Sequence, residues 1–131
     1  VTTKDWARIW EEVQEQSTKA WHEAAPTPMI VYTPKGLFDD TPDPTQPVYR
    51  VDEGVCGFGW IELDGRSGLA RWLKSKGIGR QGDSKYRVSS WEIVSADRMS
   101  QSYTRKDAAV RAGAKVLRDL GVKAYGMARL D

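Results

Sequence analysis

Val55-Cys56-Gly57-Phe58-Gly59-Trp60-Ile61-Glu62-Leu63 reads as a β-strand, and the chain on either side is organised around it. Side chains alternate across a strand. Cys56, Phe58, Trp60 and Glu62 therefore share one face, and Val55, Gly57, Gly59, Ile61 and Leu63 share the other. Two glycines on one face of a strand mark a place where another backbone comes close. A packed helix is the expected neighbour there, with a ligand as the alternative.

Downstream, Asp64-Gly65-Arg66-Ser67 opens a helix with Leu69, Trp72 and Leu73 on one stripe and Gly77 as its stop. Lys85 to Ser95 reads as a strand whose apolar members are Val88, Trp91, Ile93 and Val94. Thr104 and Asp107 have capping-box spacing and open a helix to Leu120, closed by Gly121. Its interior holds Ala108, Ala109, Ala112, Gly113 and Ala114, small residues that let a helix sit close to a sheet. Val122 to Met127 reads as the last strand. Upstream, Val48 to Val51 is a short strand joined through the turn Asp52-Glu53-Gly54. The order β-β-α-β-α-β predicts an α+β fold: a three- to four-stranded sheet with helices on one face.

All six prolines lie between Pro26 and Pro47 and divide the chain. Before them, residues 3–24 read as an amphipathic helix, with Trp6, Ile9, Trp10, Val13, Ala20, Trp21 and Ala24 mostly on one stripe. Thr2 and Asp5 resemble its capping box. Burying each tryptophan contributes about 2–3 kcal/mol, so Trp6, Trp10 and Trp21 must dock on this domain, a second copy or a partner. Pro26 ends the helix. The proline run reads as extended or turn backbone, in which Met29 to Tyr32 pairs as a short edge strand. The expected organisation is an N-terminal helix over 1–25, a Pro-rich linker over 26–47 and a compact α/β domain over 48–131.

The net charge of +2 hides an asymmetry: residues 1–63 carry 5 basic and 11 acidic side chains, residues 64–131 carry 15 and 7. A basic half points to an acidic partner such as nucleic acid, or to attraction between the two halves of one fold. A single cysteine forms no internal disulfide and fits a reducing compartment. No apolar run of the length of a membrane span occurs, and the N-terminus carries no apolar signal-peptide core. Val1 is expected to reflect a GTG start codon read literally.

Candidate chemistry is sparse, and no catalytic residue, metal ligand set or cofactor is expected. Gly77-Ile78-Gly79-Arg80-Gln81-Gly82 matches G-x-G-x-x-G, but it follows a helix and precedes a strand, the reverse of a dinucleotide site. Arg80 and free amides there could still hold an isolated phosphate. His22 is the only histidine and has no serine or cysteine placed for a triad. Cys56 is expected to be buried as a small apolar residue. Asp39, Asp40 and Asp43 lack calcium-loop spacing.

The most suggestive constellation is basic and aromatic. Arg66, Arg71, Lys74, Lys76, Arg80, Lys85 and Arg87 crowd one stretch with Trp72 and Tyr86 among them, and Arg105, Lys106 and Arg111 follow in the last helix. Cations at a helix N-terminus oppose the macrodipole and gain nothing locally, which suits a phosphate partner. That helix loosely resembles the last helix of double-stranded-RNA-binding domains. A solvated face is the plain alternative.

Cys56-Gly57-Phe58-Gly59-Trp60-Ile61, then Gly65-Arg66-Ser67 and a helix, resembles small uncharacterised proteins encoded by tailed bacteriophages. So does the ending Leu117 to Asp131, with Ala124-Tyr125 and Arg129-Leu130-Asp131; the resemblance covers about residues 54–131. It implies a phage protein of the host cytoplasm or virion, without an assigned activity. Together these readings predict a non-enzymatic protein that binds a host or virion protein, with nucleic acid as a second partner class. A virion component docked through its N-terminal arm and an enzyme with a nucleotide-related site are the alternatives.

Overall fold

The computed structural model describes residues 5–131, which leaves Val1 and the Thr2 half of the expected capping box outside the described residues. The first element, α1 (Trp6–Glu23), is capped by Asp5, whose carboxylate accepts from the Arg8 N–H at 3.2 Å. At its other end the chain turns extended at Ala24, two residues before Pro26.

The proline run is a β-ribbon. Strand β1 (Met29–Tyr32) pairs antiparallel with β4 (Val48–Val51), and between them β2 (Pro34–Gly36) pairs with β3 (Asp39–Pro42). The short strand expected at 29–32 is therefore real, but its partner is Val48–Val51, the segment assigned from sequence to the compact domain. Nearly every residue of this arm is exposed.

The main sheet has four antiparallel strands in the order β6-β7-β5-β8, formed by β5 (Gly57–Asp64), β6 (Arg80–Gln81), β7 (Lys85–Ser89) and β8 (Ala124–Leu130). The remaining helices are α2 (Gly68–Ser75), α3 (Ser90–Ile93) and α4 (Tyr103–Asp119), with a 3₁₀ turn over Ser95–Met99. Caps fix the boundaries. Ser67 accepts from the Ala70 N–H at 3.1 Å and starts α2. Ser102 accepts from the Arg105 N–H at 3.2 Å and starts α4, so Thr104 is not its cap and Asp107 instead pairs with Arg111. The strand expected to run to Ser95 stops at Ser89, because Glu92 reaches back to the Ser89 N–H at 3.1 Å and opens α3.

One core unites sheet and helices. Ile61, Leu63, Tyr86, Val88 and Ala124 of the sheet meet Trp10, Val13 and Trp21 of α1, Leu69 and Leu73 of α2, and Val110 and Leu117 of α4. The expected α+β class holds. The glycine face of β5 is the buried one: a Cβ on Gly59 would lie 3.1 Å from the Lys106 carbonyl oxygen of α4. The close neighbour is thus a helix backbone. On the same side of β8, a Cβ on Gly126 would lie 2.7 Å from the Arg111 nitrogen. Cys56 lies on the other face and is exposed, contrary to the buried state expected of it. Among the described residues, no helix is long and apolar enough to cross a membrane.

Candidate nucleic-acid interface

Helix α4 packs on the glycine face of β5, and most of the opposite face of the sheet is open, with Phe58, Arg87, Tyr125, Met127 and Arg129 exposed on it. Cross-strand partners share a face, so the register states what stands there. Phe58 faces Arg129, Trp60 lies between Met127 and Ser89, and Glu62 lies between Tyr125 and Arg87. Arg80 faces Arg87, and Lys85 faces Asp64. The result is a strip of aromatic rings edged by cations. The Arg129 guanidinium sits 5.3 Å from the Phe58 ring and that of Arg87 5.7 Å from the Trp60 ring, both within cation–π range. Glu62 accepts from the Trp60 indole N–H at 3.2 Å and lies 3.7 Å from Arg87, which holds the indole in place and offsets the one carboxylate in the middle of the strip.

At one end the strip deepens into a cavity of about 730 Å³. It exists because β7 leaves the sheet after Ser89, opposite Trp60, so Phe58 and Gly59 have no strand beside them on that side. Trp91 and Arg98, from α3 and the following 3₁₀ turn, form the far wall; the Arg98 guanidinium lies 5.2 Å from the Trp91 ring. Lys106 rises into the gap from α4 and stands 5.8 Å from the Phe58 ring. Five cations line the cavity, Arg80, Arg87, Arg98, Lys106 and Arg129, against Glu92 and Asp97. Both carboxylates are engaged. Glu92 accepts from the N–H groups of Gly79 at 3.0 Å and Ser89 at 3.1 Å. The buried Asp97 accepts from Ser90 Oγ at 2.5 Å, and its other oxygen stands 3.5 Å from Lys106 Nζ without hydrogen-bond geometry.

This polar floor holds serine, aspartate and lysine, and its chemistry is readable. The Ser90 hydroxyl donates to a carboxylate, a weak base, and the lysine also turns to that carboxylate rather than to the serine. Lys106 Nζ donates to Gln101 Oε1 at 3.4 Å.

The basic residues singled out from sequence divide into groups. Arg80, Lys85, Arg87 and Lys106 belong to the open face and its cavity. Arg71, Lys74 and Lys76 lie exposed on or next to α2, with Lys74 5.5 Å from the Tyr86 ring and Lys76 5.9 Å from the Trp72 ring. Arg66 is exposed in the turn before α2. Arg105 is a structural tie: it donates to Glu53 at 2.8 Å and to the Trp21 carbonyl at 2.7 Å, joining arm root, α1 and α4. Arg111 is exposed and bound to Asp107 at 2.7 Å. Of the docking tryptophans, Trp10 and Trp21 are buried in the core and Trp6 packs against it, so the helix face spends its apolar surface within the chain.

Arg98, Arg129, Trp91, Tyr125 and Met127 complete the face and, like Phe58 and Trp60, were not among the binding residues expected from sequence. Their signal was parity: Tyr125, Met127 and Arg129 alternate in one strand. Reading it required knowing that β8 pairs with β5. The G-x-G-x-x-G turn does follow a helix, and its Gly79 amide is taken by Glu92. His22 is exposed in the last turn of α1. Among the described residues no group of His, Cys, Asp or Glu has the arrangement of a metal site. No protein family, curated protein or solved structure matches the chain.

Proposed function

We propose that the open sheet face binds single-stranded nucleic acid, in a small phage-encoded protein that acts by binding and not by catalysis. The observation that carries this reading is the strip of Phe58, Trp60 and Tyr125 interleaved with Arg80, Arg87 and Arg129 on a solvent-facing sheet. Every base has a π-face, and stacking on an aromatic side chain contributes about 1–3 kcal/mol per base. Arginines beside the rings neutralise the phosphates that follow each stacked base. The cavity at the end of the strip is roomy enough for a splayed base between Trp60 and Trp91, above the Lys106 ammonium. A duplex keeps its bases stacked on each other and offers this face only phosphates, so single strands are preferred. A protein with this role acts in the host cytoplasm or travels in the virion.

The test is a titration of a labelled mixed-sequence oligonucleotide followed by anisotropy. Four neutralised phosphates give a log–log salt slope of about −3 for single strands. Trp60→Ala is expected to weaken binding by about 10-fold or more through lost stacking, with an unchanged circular dichroism spectrum because the ring is not part of the core. Absence of binding at low ionic strength, or a Trp60→Ala variant that binds as well as the parent, refutes the proposal.

A further inference from the structure

From the β-arm we infer that this chain self-associates by seating the tip of one copy's arm in the aromatic, basic cavity of a second copy. The tip is the turn Leu37-Phe38, and its side chains are 97% and 102% exposed. Two large apolar groups held out at the end of a ribbon touch nothing in their own chain. The ribbon behind them runs eight residues, Met29 to Gly36, seven of them in strands, or roughly 25 Å. It is tied at its root, where Glu53 binds Arg105 at 2.8 Å. In this arrangement the tip stands clear of its own body, which leaves it open to a second copy.

The receiving surface is described by its complement. Next to Leu37-Phe38 the arm carries Asp39, Asp40 and Asp43, against Lys35; its other cation, Arg50, lies near the root and is paired with Asp52 at 2.6 Å. Asp39 and Asp43 each accept two hydrogen bonds, from Thr41 and Thr45. Those bonds hold both carboxyls below their ordinary range, so the charges persist in mildly acid solution. The tip therefore asks for an apolar socket ringed by cations. The cavity between Phe58, Trp60 and Trp91, rimmed by Arg80, Arg87, Arg98 and Arg129, is that socket. Each copy supplies both halves, and a reciprocal exchange of arms closes a dimer. An acidic arm in this place also occupies the site proposed for a polyanion, so nucleic acid and arm compete.

Sedimentation equilibrium of the full chain over a range of concentrations tests this. Self-association is expected, and it weakens with salt. Phe38→Ser and Arg87→Glu, both at exposed positions, each weaken it by about 10-fold or more. Combining Arg87→Glu with Asp39→Arg and Asp40→Arg restores part of the loss. A monomer at every concentration overturns the inference and leaves the tip to a different protein. Self-association that ignores either substitution overturns it too, because the tip or the socket then lies elsewhere. Oligonucleotide binding is read separately, so a sheet face that binds no nucleic acid leaves this result standing.

Discussion

Gly126 shows how a single atom sets the distance between layers. A Cβ there would stand 2.7 Å from the Arg111 nitrogen and 2.8 Å from its Cα, and both are backbone atoms of α4. A helix backbone cannot swing aside as a side-chain end can. Gly126→Ala is expected to cost about 1–3 kcal/mol in urea denaturation, the range of an overpacked core. Tyr86 gives a second test at this scale. Burial, and then the Glu92 charge, hold its phenol above the ordinary value. The fold favours the neutral form, so this contribution is full below the ordinary phenol pKa of about 10 and is lost as pH rises through the folded value. Stability should fall above about pH 10. In Tyr86→Phe that alkaline loss should shrink, while the Ile78 carbonyl loses its Tyr86 donor and stability at neutral pH drops by about 1 kcal/mol.

Among the elements, α1 is the most instructive. Its tryptophan stripe was plain in the spacing, but where the stripe docks is a tertiary fact: Trp10, Val13 and Trp21 are buried in the core shared with the sheet. Trp10→Ala is expected to cost about 3–5 kcal/mol, measured by chemical denaturation with circular dichroism at the sheet and helix bands together. A helix standing apart from the domain would lose almost nothing. The two faces of β5 were likewise legible, because alternation is local, and its glycines correctly announced a close backbone. Which face water sees was not legible, and Cys56 was accordingly placed inside. The break after Ser89 was written in the Ser89-to-Glu92 spacing, yet the apolar run through Val94 masks it. The pairing of β1 with β4 joins segments with four of the six prolines between them, and no local periodicity reports such a contact.

At the scale of the whole molecule, cohesion is uneven. The buried hydrophobic side chains belong to α1, α2, α3, α4, the main sheet and the turns beside them; the arm contributes none. Replacing residues 29–51 by a short Gly-Ser link is therefore expected to leave the thermal midpoint of the body within a few degrees, as scanning calorimetry would show. A shift comparable to that of Trp10→Ala would mean the arm carries part of the core. The root needs to be kept, because Glu53 and Arg105 fasten α1 to α4 there.

The prolines acquire a purpose from this geometry. A two-stranded ribbon has two unfilled margins, each able to recruit further copies one after another without limit. Proline has no amide hydrogen to offer at such a margin. Pro34 and Pro42 face each other across the ribbon, and Pro28, Pro44 and Pro47 lie beside or between its strands. Near the tip those missing donors blunt both margins against a further strand, whereas β1 and β4 keep their amides and only their flanks are guarded.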